Sequence, residues 1–140
     1  TLPYAPGTLE AVSLTNGQEV SRQRLVTAGA PAALRITFEP GTFAAGEQSL
    51  AYATVEVVDA CGRRVPGVDL PARADVSGAA TLLAFGSARP ATEENYTAGR
   101  FTSFNGCWQA VLRSGAVPGS AVLRVEAEGL PPAVAAIDVL

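Results

Sequence analysis

Alternation with a period of two runs through most of this chain, and a helical period is hard to find. Successive side chains of an extended strand point to opposite faces, so this pattern builds sheets with one apolar and one polar side. Ala33-Glu39 sets Leu34, Ile36 and Phe38 against Arg35, Thr37 and Glu39. Leu50-Asp59 turns Ala51, Ala53, Val55 and Val57 inward and Tyr52, Thr54 and Glu56 outward. Ser120-Glu128 opposes Ala121, Leu123, Val125 and Ala127 to Val122, Arg124, Glu126 and Glu128. Ala72-Ser77, Thr81-Phe85, Cys107-Arg113 and Val134-Leu140 are shorter runs of the same kind. Seven strands divided by Gly and Pro predict an all-β fold, a two-sheet antiparallel sandwich.

The punctuation agrees. Asp59-Ala60-Cys61-Gly62-Arg63 carries a Gly where the chain must reverse, and Pro66 keeps the following stretch from pairing fully. Gly129-Leu130-Pro131-Pro132 separates the last two strands. Gly86-Gly106 breaks the rhythm: it is a long connection without alternation, and such a loop is more often functional or packed on a neighbour than idle. Ahead of the sandwich, Leu9-Leu14 and Glu19-Val26 flank Asn16-Gly17, whose residues tolerate the positive φ angles of a tight hairpin turn. Thr27-Ala28-Gly29-Ala30-Pro31 then reads as a linker. The expected division is residues 1–30 as a hairpin and linker ending a preceding domain, and 31–140 as the sandwich. An isolated hairpin is marginal in water, so this one is expected to dock on the sandwich only partially.

Composition limits the chemistry. With 140 residues, 48% hydrophobic and 16% charged, the chain suits one packed domain. A net charge of −3 argues against a nucleic-acid partner and against a polybasic membrane patch. All the basic residues are Arg, and His and Lys are absent. That removes Ser-His-Asp and Cys-His pairs, imidazole metal ligands, Schiff bases and the phosphate-loop lysine. Two cysteines cannot form a four-thiolate zinc site, and Asp59, Asp69 and Asp75 lack the spacing of a calcium loop, so no metal and no cofactor is expected. No window approaches the roughly 18 consecutive apolar residues of a membrane span. The start at Thr1 reads as a piece cut from a longer soluble protein, with cytoplasm and export both open as compartments.

Several runs carry a resemblance. Tyr4-Ala5-Pro6-Gly7-Thr8-Leu9-Glu10-Ala11, Asn16-Gly17-Gln18-Glu19-Val20 and Thr27-Ala28-Gly29-Ala30-Pro31-Ala32 resemble the junction before the last domain of bacterial glycoside hydrolase family 2 β-galactosidases. The similarity continues through Val55-Glu56-Val57-Val58-Asp59, Gly62, Val65-Pro66 and Val76-Ser77-Gly78. It resumes at Gly86, Pro90, Glu94, Phe104-Asn105-Gly106 and Ala110-Val111-Leu112-Arg113-Ser114, and so spans almost the whole chain in order. The resemblance implies a multidomain exo-glycosidase whose catalytic Glu pair sits on a (β/α)₈ barrel and has no match here. It further implies that this chain holds the last strands of one immunoglobulin-like domain and then a complete one. Where members often carry a Gly-Asn-Gly-Asp-Pro-like run, this chain has Gly86-Ser87-Ala88-Arg89-Pro90, so any contact made by that Asp is lost or replaced.

Four groups of residues then stand out. In an immunoglobulin-like sandwich the strands before Cys61 and after Cys107 are antiparallel neighbours, which could bring the two within disulfide reach; two reduced thiols are the alternative. Trp108 could stack on a sugar, as could Tyr52 and Tyr96, but Trp108 shares its face with Ala110 and Leu112 and reads as core. Glu93-Glu94-Asn95-Tyr96 is the one place to imagine paired carboxylates, although adjacent acids on a polar loop point apart. The same loop, with Arg89, Glu94, Tyr96, Arg100, Phe101 and Phe104, suits docking on another domain or a second chain. Alternatively, Phe101 and Phe104 cap the open end of the sandwich. Arg63-Arg64 reads as a solvated turn.

These features point to a non-catalytic accessory domain of a family 2 glycosidase. Its partners would be the other domains of the parent and, through the parent, a homo-oligomer. A carbohydrate-binding module and a cell-surface adhesion or spacer module are the two alternatives.

Overall fold

The computed structural model describes residues 3–46 and 48–140. Among the described residues there is no helix, and therefore none long and apolar enough to cross a membrane. The strands are β1 (Thr8–Thr15), β2 (Gln18–Val26), β3 (Ala33–Glu39), β4 (Thr42–Phe43), β5 (Leu50–Val58), β6 (Pro71–Gly78), β7 (Ala80–Gly86), β8 (Arg100–Thr102), β9 (Cys107–Ser114), β10 (Gly119–Ala127) and β11 (Ala133–Val139). One sheet runs β3-β5-β9-β7 and the other β4-β11-β10-β6-β8. All pairings are antiparallel except the short parallel one between β11 and β4. Numbering only the seven long strands of the sandwich, one sheet takes the first, second, fifth and fourth, and the other the seventh, sixth and third. That is the strand order of an immunoglobulin-like sandwich.

Each run of alternation became a strand, because its apolar face had somewhere to go. Ala51, Ala53, Val55 and Val57 of β5 meet Ala121, Leu123 and Val125 of β10 in a core where every one of these side chains is fully buried. Leu34, Ile36 and Phe38 are only half-buried, as befits β3, which lies at the edge of its sheet. Two strands carry no alternation long enough to read. β4 has two residues and β8 three, and β8 pairs Arg100–Thr102 with Pro71–Arg73. The Gly86-Gly106 connection, which the sequence shows only as lacking alternation, therefore holds one short strand. Short edge strands of this sort also blunt a sheet's capacity to pair with another chain.

The hairpin is a sheet of its own. Asn16 and Gly17 have φ of 50° and 77°, the left-handed pair that a type I′ turn needs. Register places Glu10, Arg22 and Arg24 on one face, where Arg22 pairs with Glu10 and Glu19 and Arg24 with Glu10. The other face is neutral: Leu9 opposes Leu25, Ala11 opposes Gln23 and Ser13 opposes Ser21. No residue of β1 or β2 is buried. The base of the hairpin and the Arg64-Pro66 segment of the sandwich together line a cleft of about 820 Å³. Thr1 and Leu2, which the sequence reading placed in the same segment, lie outside the described residues.

Candidate functional site

Polar and aromatic side chains gather at one end of the sandwich, where the Asp59–Arg63 turn meets the Gly86-Gly106 connection. Asp59 is the best-anchored of them. Its side chain is buried, and Oδ1 accepts the backbone N–H groups of Cys61 (2.9 Å) and Arg63 (2.8 Å). Oδ2 accepts the N–H of Gly29 in the linker at 2.9 Å, while the Arg63 guanidinium stands 3.6 Å away. The donors, Gly29 foremost, hold the Asp59 carboxyl below the ordinary aspartate range. One carboxylate thus closes a turn and ties the linker to the sandwich. Sequence reading saw the turn through its Gly and missed the clamp; an Asp opening a turn is itself the signal, because Asp side chains bond backbone N–H groups two residues on.

A pH dependence follows. A lowered folded-state pKa stabilises the fold fully above the unfolded value, about 3.9 for Asp, and that stabilisation is lost as pH falls through the folded value. Relative to its intrinsic exchange rate at each pH, the Gly29 amide should therefore be strongly protected at neutral pH and lose that protection as Asp59 is protonated in acid. In Asp59→Asn the protection should be weak throughout and the melting temperature several degrees lower at neutral pH. A Gly29 amide as protected in the variant as in the parent sequence would remove the clamp.

Of the two states the sequence leaves open for Cys61 and Cys107, the structure holds the free thiols and not the disulfide. The neighbouring strands behave as expected, with β5 beside β9, but Cys107 is in register with Glu56. The chain continues through Val57 and Val58 before the turn lifts Cys61 to the surface. Burial pushes the Cys107 thiol up, with Glu56 adding to the shift and Arg64 opposing it. That disfavours the reactive thiolate.

Trp108 cannot stack on a sugar. It is buried, its ring lies parallel to that of Phe85 with centroids 6.3 Å apart, and Nε1 donates to the Phe101 carbonyl at 2.9 Å. The parity with Ala110 and Leu112 decides its side of the sheet. Phe101 is equally buried, so it caps the core and is not free to dock, while Phe104 is half-buried. Tyr96 remains exposed and rests on Phe101, with centroids 4.6 Å apart. Tyr52 is exposed on the outer face of β5.

Glu94 is committed to structure: Oε1 accepts the backbone N–H and the hydroxyl of Thr102 at 2.9 and 3.0 Å. It therefore fastens the connection to β8. Arg89 pairs with Asp69 at 3.5 Å, and Arg100 is exposed. Arg63 and Arg64 are both exposed, and Arg64 donates to the Asn105 carbonyl at 3.2 Å. Among the described residues no three His, Cys, Asp or Glu side chains gather as a metal site would require.

The chain is similar to the β-galactosidase BoGH2A of Bacteroides ovatus, with 29% identity over 96% of this chain and 16% of that protein. It thus spans about a sixth of that curated relative. A solved glycosyl hydrolase family 2 member from Bacteroides cellulosilyticus matches 97% of the chain at 31% identity and a TM-score of 0.89, using 19% of its own length. The FdeC adhesin of Escherichia coli matches 96% of the chain and 40% of its own at 23% identity and a TM-score of 0.51, a likeness of fold alone. The model of glycoside hydrolase family 2 C-terminal domain 5 matches residues 34–136, most of the sandwich. The sandwich order, the closed turns and these matches agree: the chain belongs to the family of glycoside hydrolase family 2 C-terminal domains.

Proposed function

We propose that this chain is a non-catalytic accessory region of a β-galactosidase-like glycosidase, working by packing against the rest of its parent. The observation that carries this reading is the family match over residues 34–136, together with a relative six times longer whose name is that of a β-galactosidase. The acids of the chain support it. Glu94 is spent on Thr102 and Asp59 on three backbone N–H groups, which leaves neither as a proton donor facing a cleft. The hairpin supports it further. Its neutral face and the exposed Leu9 and Leu25 belong to a surface that another body covers, and the family's unit begins only at residue 34. Residues 1–30 are then the closing hairpin and linker of a preceding domain. The exposed Arg100 is the remaining docking residue of the long connection.

Removing this region from the full-length parent tests the reading. The 140-residue chain alone should hydrolyse neither nitrophenyl β-galactoside nor nitrophenyl β-glucuronide. The truncated parent should melt at a lower temperature or change its oligomeric state. Turnover by the isolated chain, or a truncated parent unchanged in melting and assembly, would refute it.

A further inference from the structure

One concavity has no part in the packing role. It lies on the outward face of the β3-β5-β9-β7 sheet, has a volume of about 530 Å³, and is overhung by the long connection. Thr54 and Gln109, opposite one another in the β5–β9 register, line it from the sheet. Tyr96 lines it from the connection, and Phe104, Asn105 and Arg64 complete it. We infer that this cleft binds one unit of a neutral saccharide.

Size and chemistry point the same way. Small-molecule sites occupy about 300–1,000 Å³ and combine an apolar lining with a few converging polar groups. Tyr96 supplies a fixed aromatic ring. It stacks on buried Phe101, and it sits so close over Gly86 that a Cβ there would come within 2.2 Å of the ring. Yet the residue stays 45% exposed, so a preset surface faces outward at little cost in rotamer freedom. A pyranose presents an apolar C–H face to such a ring and hydroxyls around its edge. The lining offers the hydroxyls of Thr54 and Ser87, two carboxamides and a phenol, each able both to donate and to accept. Among the described residues none of the Thr54, Gln109, Asn105 or Tyr96 side chains bonds a second strand or loop, the Asn105 link to its neighbours being through backbone atoms; the four are available to a ligand.

Charge argues for a neutral occupant. Arg64 is the one ionised side chain of the lining, and it is already engaged by the Asn105 carbonyl and by Glu56 at 3.9 Å. A protein partner fits less well, since the cleft is concave and polar-rimmed and, of its lining, Tyr96 is the one large apolar side chain that is exposed.

The test is a titration of the isotope-labelled chain with lactose, cellobiose and xylobiose, with glucuronate as the charged control. Amide and side-chain shifts should cluster at Thr54, Tyr96, Asn105 and Gln109 for at least one neutral sugar. Tyr96→Ala should abolish the response, but this ring also covers Phe101, so Gln109→Ala is the decisive variant. It should weaken binding about three- to tenfold, the worth of one hydrogen bond, and leave the melting temperature unchanged. No clustered shift with any of the three sugars, tighter binding of glucuronate, or unchanged affinity in Gln109→Ala would each overturn the inference. So would protection of these residues from hydroxyl-radical footprinting in the sugar-free parent, which would mark the cleft as a contact between domains.

Discussion

Trp108→Ala should lower the stability of the sandwich by about 3–5 kcal/mol, the range for deleting a large buried aromatic. Three separate losses add here. The indole is fully buried between the sheets, it stacks on Phe85, and it donates a hydrogen bond to the Phe101 carbonyl. A single domain has about 5–15 kcal/mol in total, so the variant should be close to unfolded at physiological temperature. Trp108→Phe separates the terms. It keeps most of the apolar volume and loses the indole donor, and should cost about 0.5–1.5 kcal/mol, the worth of one hydrogen bond. Urea unfolding followed by circular dichroism measures both, since either change removes the only indole and its fluorescence. A loss under about 1 kcal/mol for Trp108→Ala would mean that the core closes over the gap, against the behaviour of packed interiors.

Gly106→Ala is the second large effect. Gly106 has a φ of 68°, and a Cβ there would lie 2.3 Å from the Val65 carbonyl oxygen and 3.2 Å from Val68. The left-handed backbone alone costs an L-residue about 1–2 kcal/mol. The collision adds about 1–3 kcal/mol of overpacking. It is not easily relieved, because the Gly106 N–H donates to the Val68 carbonyl at 2.7 Å and its carbonyl accepts from Val57 at 2.8 Å. Gly129→Ala, between β10 and β11, is the control: its φ is 76°, and nothing lies within 4 Å of the added Cβ. The melting temperature should fall sharply for the first and little for the second. Equal falls would show that the backbone angle, and not the crowding, sets the cost.

The strands were legible because burial is two-sided and period two is unambiguous wherever Ala, Val and Leu alternate with Arg, Glu and Thr. Trp108 illustrates the same rule at one position, where parity with Ala110 and Leu112 outweighed the attraction of an indole as a sugar platform. The Asn16-Gly17 turn was legible for a local reason. Asn105-Gly106 carries the same dipeptide with φ of 51° and 68°, joining Phe104 to Cys107, and it was read only as part of a family run. Applying the turn rule there would have fixed the start of β9. What stayed hidden depends on distant pairings. β8 is too short to show a period, and whether Cys61 reaches Cys107 depends on the two residues by which β5 outruns the register. The cleft of Thr54, Gln109 and Tyr96 is assembled from three elements, and none of the three has a local signature.

The placing of β11 has a consequence for synthesis. This last strand lies between β10 and β4, pairs with β4 in parallel, and packs across the sandwich on β3. The Leu140 N–H donates to the Phe43 carbonyl, and the Leu140 carbonyl accepts from Ala45. The short β4 near the start of the sandwich and its last strand therefore complete one another, and a nascent chain lacking β11 leaves β4 without the one strand it pairs with among the described residues. Such distant closure is slow relative to local pairing. The β4–β11 edge of the sandwich therefore closes only once Val139 and Leu140 have been synthesised.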